Sequence, residues 1–196
     1  MTVLNLQKND VLDLTKKDPS LSRLLVGAGW DVATKGGLFG LFGGGSDYDL
    51  DLFAMKLNEK GHLMRNGLVY FGKQKHDGIM LHGDNLTGEG DGDDEKISVD
   101  LASLPNECHR VVFGVAIYSA DSRGQSFKNV KNAYVRLCDE QKGMAEICRF
   151  NLTEDGGNNT AIIMCELTKV NGDWSFKAIG EYHRAGISEI ANRYKA

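Results

Sequence analysis

Short apolar segments separated by turn residues run through most of this 196-residue sequence, and they restrict the fold more than any other feature. Residues 110–118 are apolar on both faces, which predicts a central, fully buried strand. Residues 133–152 and 161–179 each predict a hairpin, the second of them turning at Asn171-Gly172. Many short strands joined by glycine-rich turns are typical of two packed sheets. We therefore expect an all-β dominated fold, a two-sheet antiparallel β-sandwich with a few short helices.

The two ends of the chain complete this prediction. Apolar residues on either side of Lys8-Asn9-Asp10 predict an N-terminal hairpin, and residues 21–30 predict a strand that contains two glycines. A closing C-terminal helix is predicted by apolar side chains at helical spacing: Ile187, Ile190, Ala191 and Tyr194. The sequence shows no internal repeat and no domain boundary, so we expect residues 1–196 to form a single domain.

Composition and charge exclude several classes of protein. The net charge is −4 and the isoelectric point is about 5.7, whereas a nucleic-acid-binding protein needs a basic face for the phosphates. No apolar run approaches the roughly 20 residues that span a bilayer. The N-terminus lacks the basic start and the apolar core of a secretion signal. The sequence therefore predicts a cytoplasmic protein with no nucleic-acid partner and no transmembrane segment.

The cysteines are widely spaced, with no CxxC pair and no histidine at the spacing that zinc requires. Each of them lies in or near an apolar segment. Because disulfides are rare in cytosolic proteins, we expect buried, reduced thiols at all four positions: Cys108, Cys138, Cys148 and Cys165.

Residues 83–95 are the most informative segment for function, because acidic side chains alternate with glycines and neither lysine nor arginine is present. Like charges this close repel one another unless a cation neutralises them. Carboxylates are hard ligands, and Ca²⁺ accepts about 6–8 oxygens at about 2.3–2.6 Å, including backbone carbonyls that glycine can turn inward. The acidic residues of this segment are Asp84, Glu89, Asp91, Asp93, Asp94 and Glu95. The alternative is a solvated acidic turn, as most charge runs are.

This segment does not follow the EF-hand pattern. Counted from Asp84, the third and fifth positions are Leu86 and Gly88, and Glu89 stands where that motif needs glycine. Mg²⁺ is a poorer match than Ca²⁺, because it demands a strict octahedron and keeps several of its waters. We therefore expect a calcium loop of another kind.

A second acidic element lies upstream, where aspartates recur at every second residue: Asp47, Asp49 and Asp51. In a strand this spacing places the three aspartates on one face and Tyr48, Leu50 and Leu52 on the other. A row of like charges along a strand is unfavourable unless something positive lies against it. Two such clusters in one domain predict a shared metal region, and the alternative is a polar, solvent-facing edge.

Four segments match a known family in the same order: 26–31 (Val-Gly-Ala-Gly-Trp-Asp), 48–51 (Tyr-Asp-Leu-Asp), 82–95, and 123–127 (Arg-Gly-Gln-Ser-Phe). Over nearly its whole length the sequence resembles the TerD tellurium-resistance family of bacterial stress proteins. The resemblance implies a two-sheet β-sandwich that binds Ca²⁺ in the cytoplasm. By position it also implies a set of metal-site residues: Asp31, Asp49, Asp51, Asp84, Asn85, Gly88, Gly90, Asp93 and Glu95.

The sequence favours a calcium-binding, stress-associated interaction module over an enzyme, because it contains no nucleophile elbow, P-loop or paired metal-ligand histidine motif. One alternative is a metal-dependent hydrolase of phosphoesters, in which His76 or His82 beside the acidic segment acts as a base. Another alternative is direct thiol chemistry on tellurite, for which Cys108, near a turn, is the best-placed thiol.

A glycine-rich segment at 36–45 carries Phe39 and Phe42, and its many glycines disfavour a stable strand or helix. Exposed aromatic side chains on such a segment suit contact with a protein partner or with a membrane surface. The alternative is that both rings pack onto the sandwich. We expect a protein partner, whose identity the sequence does not give.

Overall fold

The structure, a computed structural model, describes residues 3–32, 48–83 and 92–196. In chain order the strands of these ranges are β1 (Leu4–Leu6), β2 (Val11–Asp13), β3 (Arg23–Val32), β4 (Leu50–Leu57), β5 (Leu63–Val69), β6 (Lys75–His76), β7 (Ile79–Leu81), β8 (Glu95–Asp100), β9 (Arg110–Ile117), β10 (Val130–Asp139), β11 (Ala145–Asn151), β12 (Ala161–Val170) and β13 (Asp173–His183). The α-helices are α1 (Ala120–Arg123) and α2 (Ile187–Arg193), and short 3₁₀ turns span Leu101–Ser103, Phe127–Asn129 and Glu140–Lys142. Among the described residues, no helix is long and apolar enough to cross a bilayer.

The described strands pair into two sheets. Sheet A has seven strands in the order β1-β11-β10-β3-β8-β7-β6, and sheet B has six in the order β2-β13-β12-β9-β4-β5. The pairings in both sheets are antiparallel, except that β1 runs parallel to β11. An apolar core lies between the sheets, and α2 packs on the outer face of sheet B. The predicted two-sheet antiparallel sandwich with a C-terminal helix is confirmed.

β9 is apolar on both faces because each face meets a different apolar layer. Val111 and Phe113 contribute to the core between the sheets. Val112, on the other face, belongs to a second cluster that includes Ile187 and Ile190 of α2. The predicted central strand is confirmed, and the C-terminal helix is what shields its outer face from water.

Both predicted hairpins are present, as β10 with β11 and β12 with β13. In the second hairpin, the two turn residues have positive φ angles, 53° at Asn171 and 91° at Gly172. A two-residue turn of this kind matches the right-handed twist of the strands and favours asparagine followed by glycine. The local sequence therefore determines this connection directly.

The predicted N-terminal hairpin is wrong. β1 pairs with β11 in sheet A and β2 pairs with β13 in sheet B, so the first two strands lie in different sheets. The connecting turn is tied to β13, because the Asn9 N–H donates to the carbonyl of Ala178 at 2.8 Å and the Ala178 N–H donates to the carbonyl of Asp10 at 3.0 Å. An isolated two-stranded hairpin is marginally stable in water, whereas each of these strands extends an existing sheet.

One end of the sandwich, which we call the acidic end, gathers the described acidic candidates: Asp31, Asp49, Asp51, Asp93, Asp94 and Glu95. β3 ends there, and β4, β8 and β10 begin there. Val32 pairs with Val130, Ala28 pairs with Glu95, and Leu52 bonds to Glu95, which together fix the four strand ends next to one another. The antiparallel order of the strands thus brings residues from distant parts of the chain to one place.

Candidate metal centre

The structure describes part of the predicted site, at the acidic end. The described candidates are Asp31, Asp49, Asp51, Asp93, Asp94 and Glu95. The remaining candidates lie outside the described residues: Asp84, Asn85, Gly88, Gly90 and Asp91, together with Phe39 and Phe42 of the glycine-rich segment. Within the described ranges, no three side chains of His, Cys, Asp or Glu are grouped closely enough to hold a metal ion. A complete calcium site therefore needs ligands from beyond those ranges.

Glu95 lies between the two sheets, with 2% of its surface exposed. Its Oε2 accepts a hydrogen bond from the backbone N–H of Leu52 in β4, at 2.5 Å. The described pairing of β4 with β5 begins at Ala54, so β5 offers no backbone acceptor at Leu52. The carboxylate of Glu95 fills that role and joins sheet A to sheet B at the acidic end.

Asp94, which directly precedes β8, extends the contact with β3 through both its backbone and its side chain. Its N–H donates to the carbonyl of Ala28 at 2.9 Å, and its Oδ2 accepts from the N–H of Trp30 at 2.8 Å. Burial raises the pKa of the Asp94 carboxyl, and the nearby charges of Asp31 and Asp93 add to the rise. A positive ion beside Asp94 would offset the cost of keeping this carboxylate ionised.

Asp31 stands at the end of β3, beside a cavity of about 540 Å³ that it shares with Asp94. The side-chain N–H₂ of Asn132 donates to Oδ2 of Asp31 at 2.6 Å. Asn132 has a φ of 50°, at a bulge where the pairing of β10 with β3 shifts register. This left-handed conformation is uncommon outside glycine, although asparagine adopts it more readily than most residues. The bulge turns the amide of Asn132 toward Asp31.

Asp93 points to the outer face of sheet A, and its side chain is fully enclosed. Nε and Nη2 of Arg136 donate to its two carboxylate oxygens, at 2.7 and 2.9 Å. The hydroxyl of Tyr134 donates to Oδ1 at 3.1 Å. Burial raises the pKa of Tyr134 to about 12, which keeps the hydroxyl protonated as a donor. The cation that neutralises Asp93 in the structure is therefore an arginine.

Two glycines of β3 make room for this arrangement. A Cβ atom at Gly27 would overlap the carboxylate of Asp93, and a Cβ atom at Gly29 would lie 2.5 Å from the ring of Tyr134. Gly27 pairs directly with Arg136 across the β3–β10 ladder, so the arginine and the carboxylate meet above it. Glycine inside a strand often marks such a close approach.

The second acidic element adjoins the first through β4. Asp51 is 5% exposed, and β4 lies between β5 and β9, so Asp51 does not lie on a solvent-facing edge. Asp47 lies outside the described residues. Asp49 precedes the strand, whose first residue is Leu50. Leu52, next to Asp51, donates to Glu95, and this bond brings the two acidic segments together.

The donor chemistry of Asp31 and Asp94 fits a hard cation. In each carboxylate Oδ2 is bonded to the protein, and Oδ1 accepts no hydrogen bond within the described residues. Carboxylate oxygens are the ligands that Ca²⁺ prefers, and it tolerates an irregular set of them. These two residues would hold one side of the ion, and the acidic segment at 84–91 would supply further oxygens.

Sequence reasoning missed the residues that hold this region in place: Asn132, Tyr134, Arg136, Glu146 and Arg149. All of them lie on β10 and β11, far along the chain from the acidic segment. The available signal was the pair Gly27 and Gly29 inside an otherwise apolar strand. Glycines at these positions indicate that another group approaches the backbone closely, but they do not identify that group.

The alternatives based on thiols and on histidines find no support in this geometry. All four cysteines are buried as predicted, and burial raises the pKa of every thiol, to about 12 at Cys148. Reactive thiols need the opposite, an accessible group with a lowered pKa. Lys56 Nζ lies 2.9 Å from Nδ1 of His76, and Ser98 Oγ lies 2.5 Å from Nε2 of His82. In the described part of the chain, neither histidine joins a cluster of acids.

Comparison with known proteins identifies the family. The model of the TerD domain matches residues 1–194. The chain belongs to the TerD family. General stress protein 16U of Bacillus subtilis (strain 168) is 38% identical over 194 residues, which cover 97% of this chain and 96% of that protein. Tellurium resistance protein TerD of Serratia marcescens is 36% identical over 194 residues, with the same coverage of 97% and 96%. The resemblance drawn from the four sequence segments is confirmed.

A solved structure shows the same fold as this TerD-family chain. The crystal structure of a homologue of telluride resistance protein (TerD) from Streptomyces coelicolor A3(2) superposes with a TM-score of 0.67. The two chains are 24% identical, and the match covers 88% of this chain and 96% of the other. Because the two sequences are so different, this comparison shows only that the two proteins share a fold.

Proposed function

We propose that this TerD-family protein binds Ca²⁺ at its acidic end and acts as an ion-stabilised interaction module in the stress response. The observation that supports calcium most directly is the pair Asp31 and Asp94. They share one cavity, and each keeps one carboxylate oxygen that accepts no hydrogen bond within the described residues. The glycine-rich acidic segment at 84–91 comes shortly before Asp94 in the sequence, so its oxygens are close along the chain.

The electrostatics support the same proposal. Asp94 is held in a buried position beside Asp31 and Asp93, and this environment raises its pKa. Asp93 already has Arg136 as its counter-ion. Arg149 also lines the cavity, but it is paired with Glu146, and neither Asp31 nor Asp94 forms an ion pair within the described residues. A divalent ion there would remove their mutual repulsion and bridge the end of β3 to the start of β8.

The role in stress is proposed from relatives. Proteins named for general stress and for tellurium resistance match nearly the whole chain. The chain carries no catalytic motif in its sequence, so we propose that it acts by binding. In this account calcium fixes the acidic segment against β3, β4 and β8, and the ordered surface is what a protein partner recognises.

Isothermal titration calorimetry tests the metal proposal. The wild-type protein should bind Ca²⁺ and bind Mg²⁺ more weakly. Asp31→Asn and Asp94→Asn should each weaken Ca²⁺ binding by about tenfold or more, because affinity follows the number of charged ligands. Asn keeps an oxygen that can accept the Trp30 N–H at position 94, so the fold should be retained. Asp13→Asn, at an exposed residue of β2, serves as the control and should bind like the wild type.

Two outcomes would overturn the proposal. If the wild-type protein releases no binding heat with Ca²⁺ and shows no other sign of binding, the metal assignment fails. If a generic phosphoester is hydrolysed in the presence of Mg²⁺ or Mn²⁺ and Asp94→Asn abolishes the turnover, the protein is a metal-dependent hydrolase rather than a binding module.

A further inference from the structure

Asp93 has a different environment from its acidic neighbours. Its side chain is fully enclosed, whereas Asp31 is exposed beside the cavity. Both of its oxygens bond to Arg136 in the bidentate geometry that fits a guanidinium to a carboxylate, and Tyr134 adds a third hydrogen bond. Asp93 thus accepts three of the about four hydrogen bonds that a carboxylate can accept, which leaves it little capacity for a metal ion.

Arg136 is itself held from the other side. Its Nη1 donates to Oε2 of Glu146 on β11 at 3.0 Å, and Arg149 donates to the two oxygens of the same carboxylate at 2.8 and 3.1 Å. The guanidinium of Arg149 also lies over the ring of Tyr134, 4.3 Å from its centre. Contacts with Glu146 on β11, which do not involve Asp93, therefore help to fix the guanidinium of Arg136.

Asp93 is covalently joined to Asp94, so a restraint on one of the two residues limits the movement of the other. The Asp94 N–H bonds to Ala28 and the Trp30 N–H bonds to the Asp94 carboxylate, and these two bonds place Asp94 at the cavity. Both bonds are made by the residue that directly follows the one Arg136 holds. A shift of Asp93 away from Gly27 would therefore move the carboxylate of Asp94 relative to Asp31.

We propose that Arg136 is a positioning residue for the metal centre, acting through Asp93, which anchors the acidic segment to sheet A instead of ligating the ion. This inference rests on the proposed calcium binding for its effect on affinity. Groups that orient metal ligands from outside the coordination sphere commonly have a large influence on affinity.

The two possible roles of Asp93 predict opposite changes in the affinity for Ca²⁺ when its contact with Arg136 is weakened. If Asp93 were a ligand, Arg136 would compete with the ion, and weakening the arginine contact would tighten Ca²⁺ binding. If Asp93 is an anchor, weakening that contact loosens Asp94 and lowers the affinity for Ca²⁺. Arg136→Lys separates the two roles, because it keeps the positive charge and loses the bidentate geometry.

The first experiment is calorimetric titration of Arg136→Lys with Ca²⁺. The affinity should fall by about tenfold or more. Arg110→Lys is the matched control, because Arg110 also forms an ion pair with a mostly buried carboxylate, that of Glu166 in sheet B, and it should bind Ca²⁺ like the wild type. An unchanged or tighter affinity in Arg136→Lys would overturn the proposal.

The second experiment needs no calcium. Hydrogen exchange in the presence of a chelator should show faster exchange of the Asp94 and Trp30 amides in Arg136→Lys and in Asp93→Asn than in the wild type or in Arg110→Lys. Unchanged protection of these two amides would overturn the anchoring role. If the wild type binds no Ca²⁺ and these amides are still loosened, the calcium proposal fails and the anchor stands. If the wild type binds Ca²⁺ and Arg136→Lys changes neither quantity, the anchor fails and the calcium proposal stands.

Discussion

The backbone N–H of Leu52 in sheet B donates to the carboxylate of Glu95 in sheet A at 2.5 Å. Glu95 is 2% exposed, so this bond is made inside the protein, where an unpaired N–H or carboxylate is costly. It joins the third residue of β4 to the first residue of β8, and so connects the two sheets at the acidic end. The acidic character of this end thus serves the packing of the sandwich as well as any ion it binds.

Replacing Glu95 should therefore lower stability even without a metal ion. Glu95→Ala leaves the Leu52 N–H without its acceptor, and we expect the free energy of unfolding to fall by about 1–3 kcal/mol. Glu95→Gln retains an oxygen acceptor and should lower the free energy of unfolding by less. Urea unfolding in the presence of a chelator measures both. Glu59→Ala, at an exposed position, should stay within about 0.5 kcal/mol of the wild type, and an equally small effect of Glu95→Ala would contradict this role.

Gly27→Ala should disturb both stability and metal binding. The added methyl group meets the Asp93 carboxylate, so the ion pair with Arg136 must shift. Overpacking of this kind typically costs about 1–3 kcal/mol. The measurement is urea unfolding followed by calcium titration of the folded variant. At Gly186 a Cβ would have 3.9 Å to its nearest neighbour, so Gly186→Ala is the control; wild-type behaviour of Gly27→Ala would show that the carboxylate is not confined there.

Stability should also fall as the pH is lowered through the range where histidine titrates. Burial lowers the pKa of His76, and the adjacent Lys56 ammonium lowers it further. The unfolded chain takes up a proton near pH 6.5 and the folded protein resists it, so stability is lost as the pH falls below that value. Between pH 7.5 and 5.5 this one group contributes at most about 1.4 kcal/mol.

Urea unfolding of His76→Gln at several pH values checks this prediction. The variant should lose less stability on acidification than the wild type. Burial also lowers the pKa of His183, so part of the pH dependence should remain in the variant and should be removed separately by His183→Gln. The same pH slope in wild type and His76→Gln would show that the Lys56–His76 contact does not control the proton uptake of His76.

The thiols should be unreactive in the folded protein. All four cysteines are buried with raised pKa values, so a thiol reagent such as Ellman's should label none of them within minutes under native conditions. All four should react once the protein is unfolded in guanidinium chloride. Rapid labelling of Cys108 in the native protein would restore the possibility of direct thiol chemistry on tellurite.

Some of the fold follows from local patterns, and the rest depends on tertiary contacts. The β12–β13 hairpin could be predicted because Asn171 and Gly172 adopt the backbone angles that their turn requires. β9 could be predicted because both of its faces are apolar. The separation of β1 from β2 could not be predicted, since periodicity shows which face of a strand is buried and not which sheet the strand joins.

The candidate site, too, could be predicted from the sequence only in part. Its acidic residues, and the prediction of a hard cation, follow from the types and spacing of the side chains between 83 and 95. The partner of Asp93 does not, because Arg136 lies 43 residues further along the chain and meets it only after β3, β8 and β10 have assembled. Repulsion within the segment indicated that a positive charge was needed, and it could not distinguish an arginine from a metal ion.

Thermal unfolding with and without Ca²⁺ tests the central claim most directly. An ion that binds the folded state alone stabilises it by RT ln(1 + [L]/Kd), which is about 2.7 kcal/mol at a hundredfold excess over Kd. The wild-type protein, first treated with a chelator, should melt at a clearly higher temperature when Ca²⁺ is added, with a smaller shift from Mg²⁺ and a reduced one in Asp94→Asn. An unchanged melting temperature at millimolar Ca²⁺ would contradict the claim that the acidic end is a calcium site.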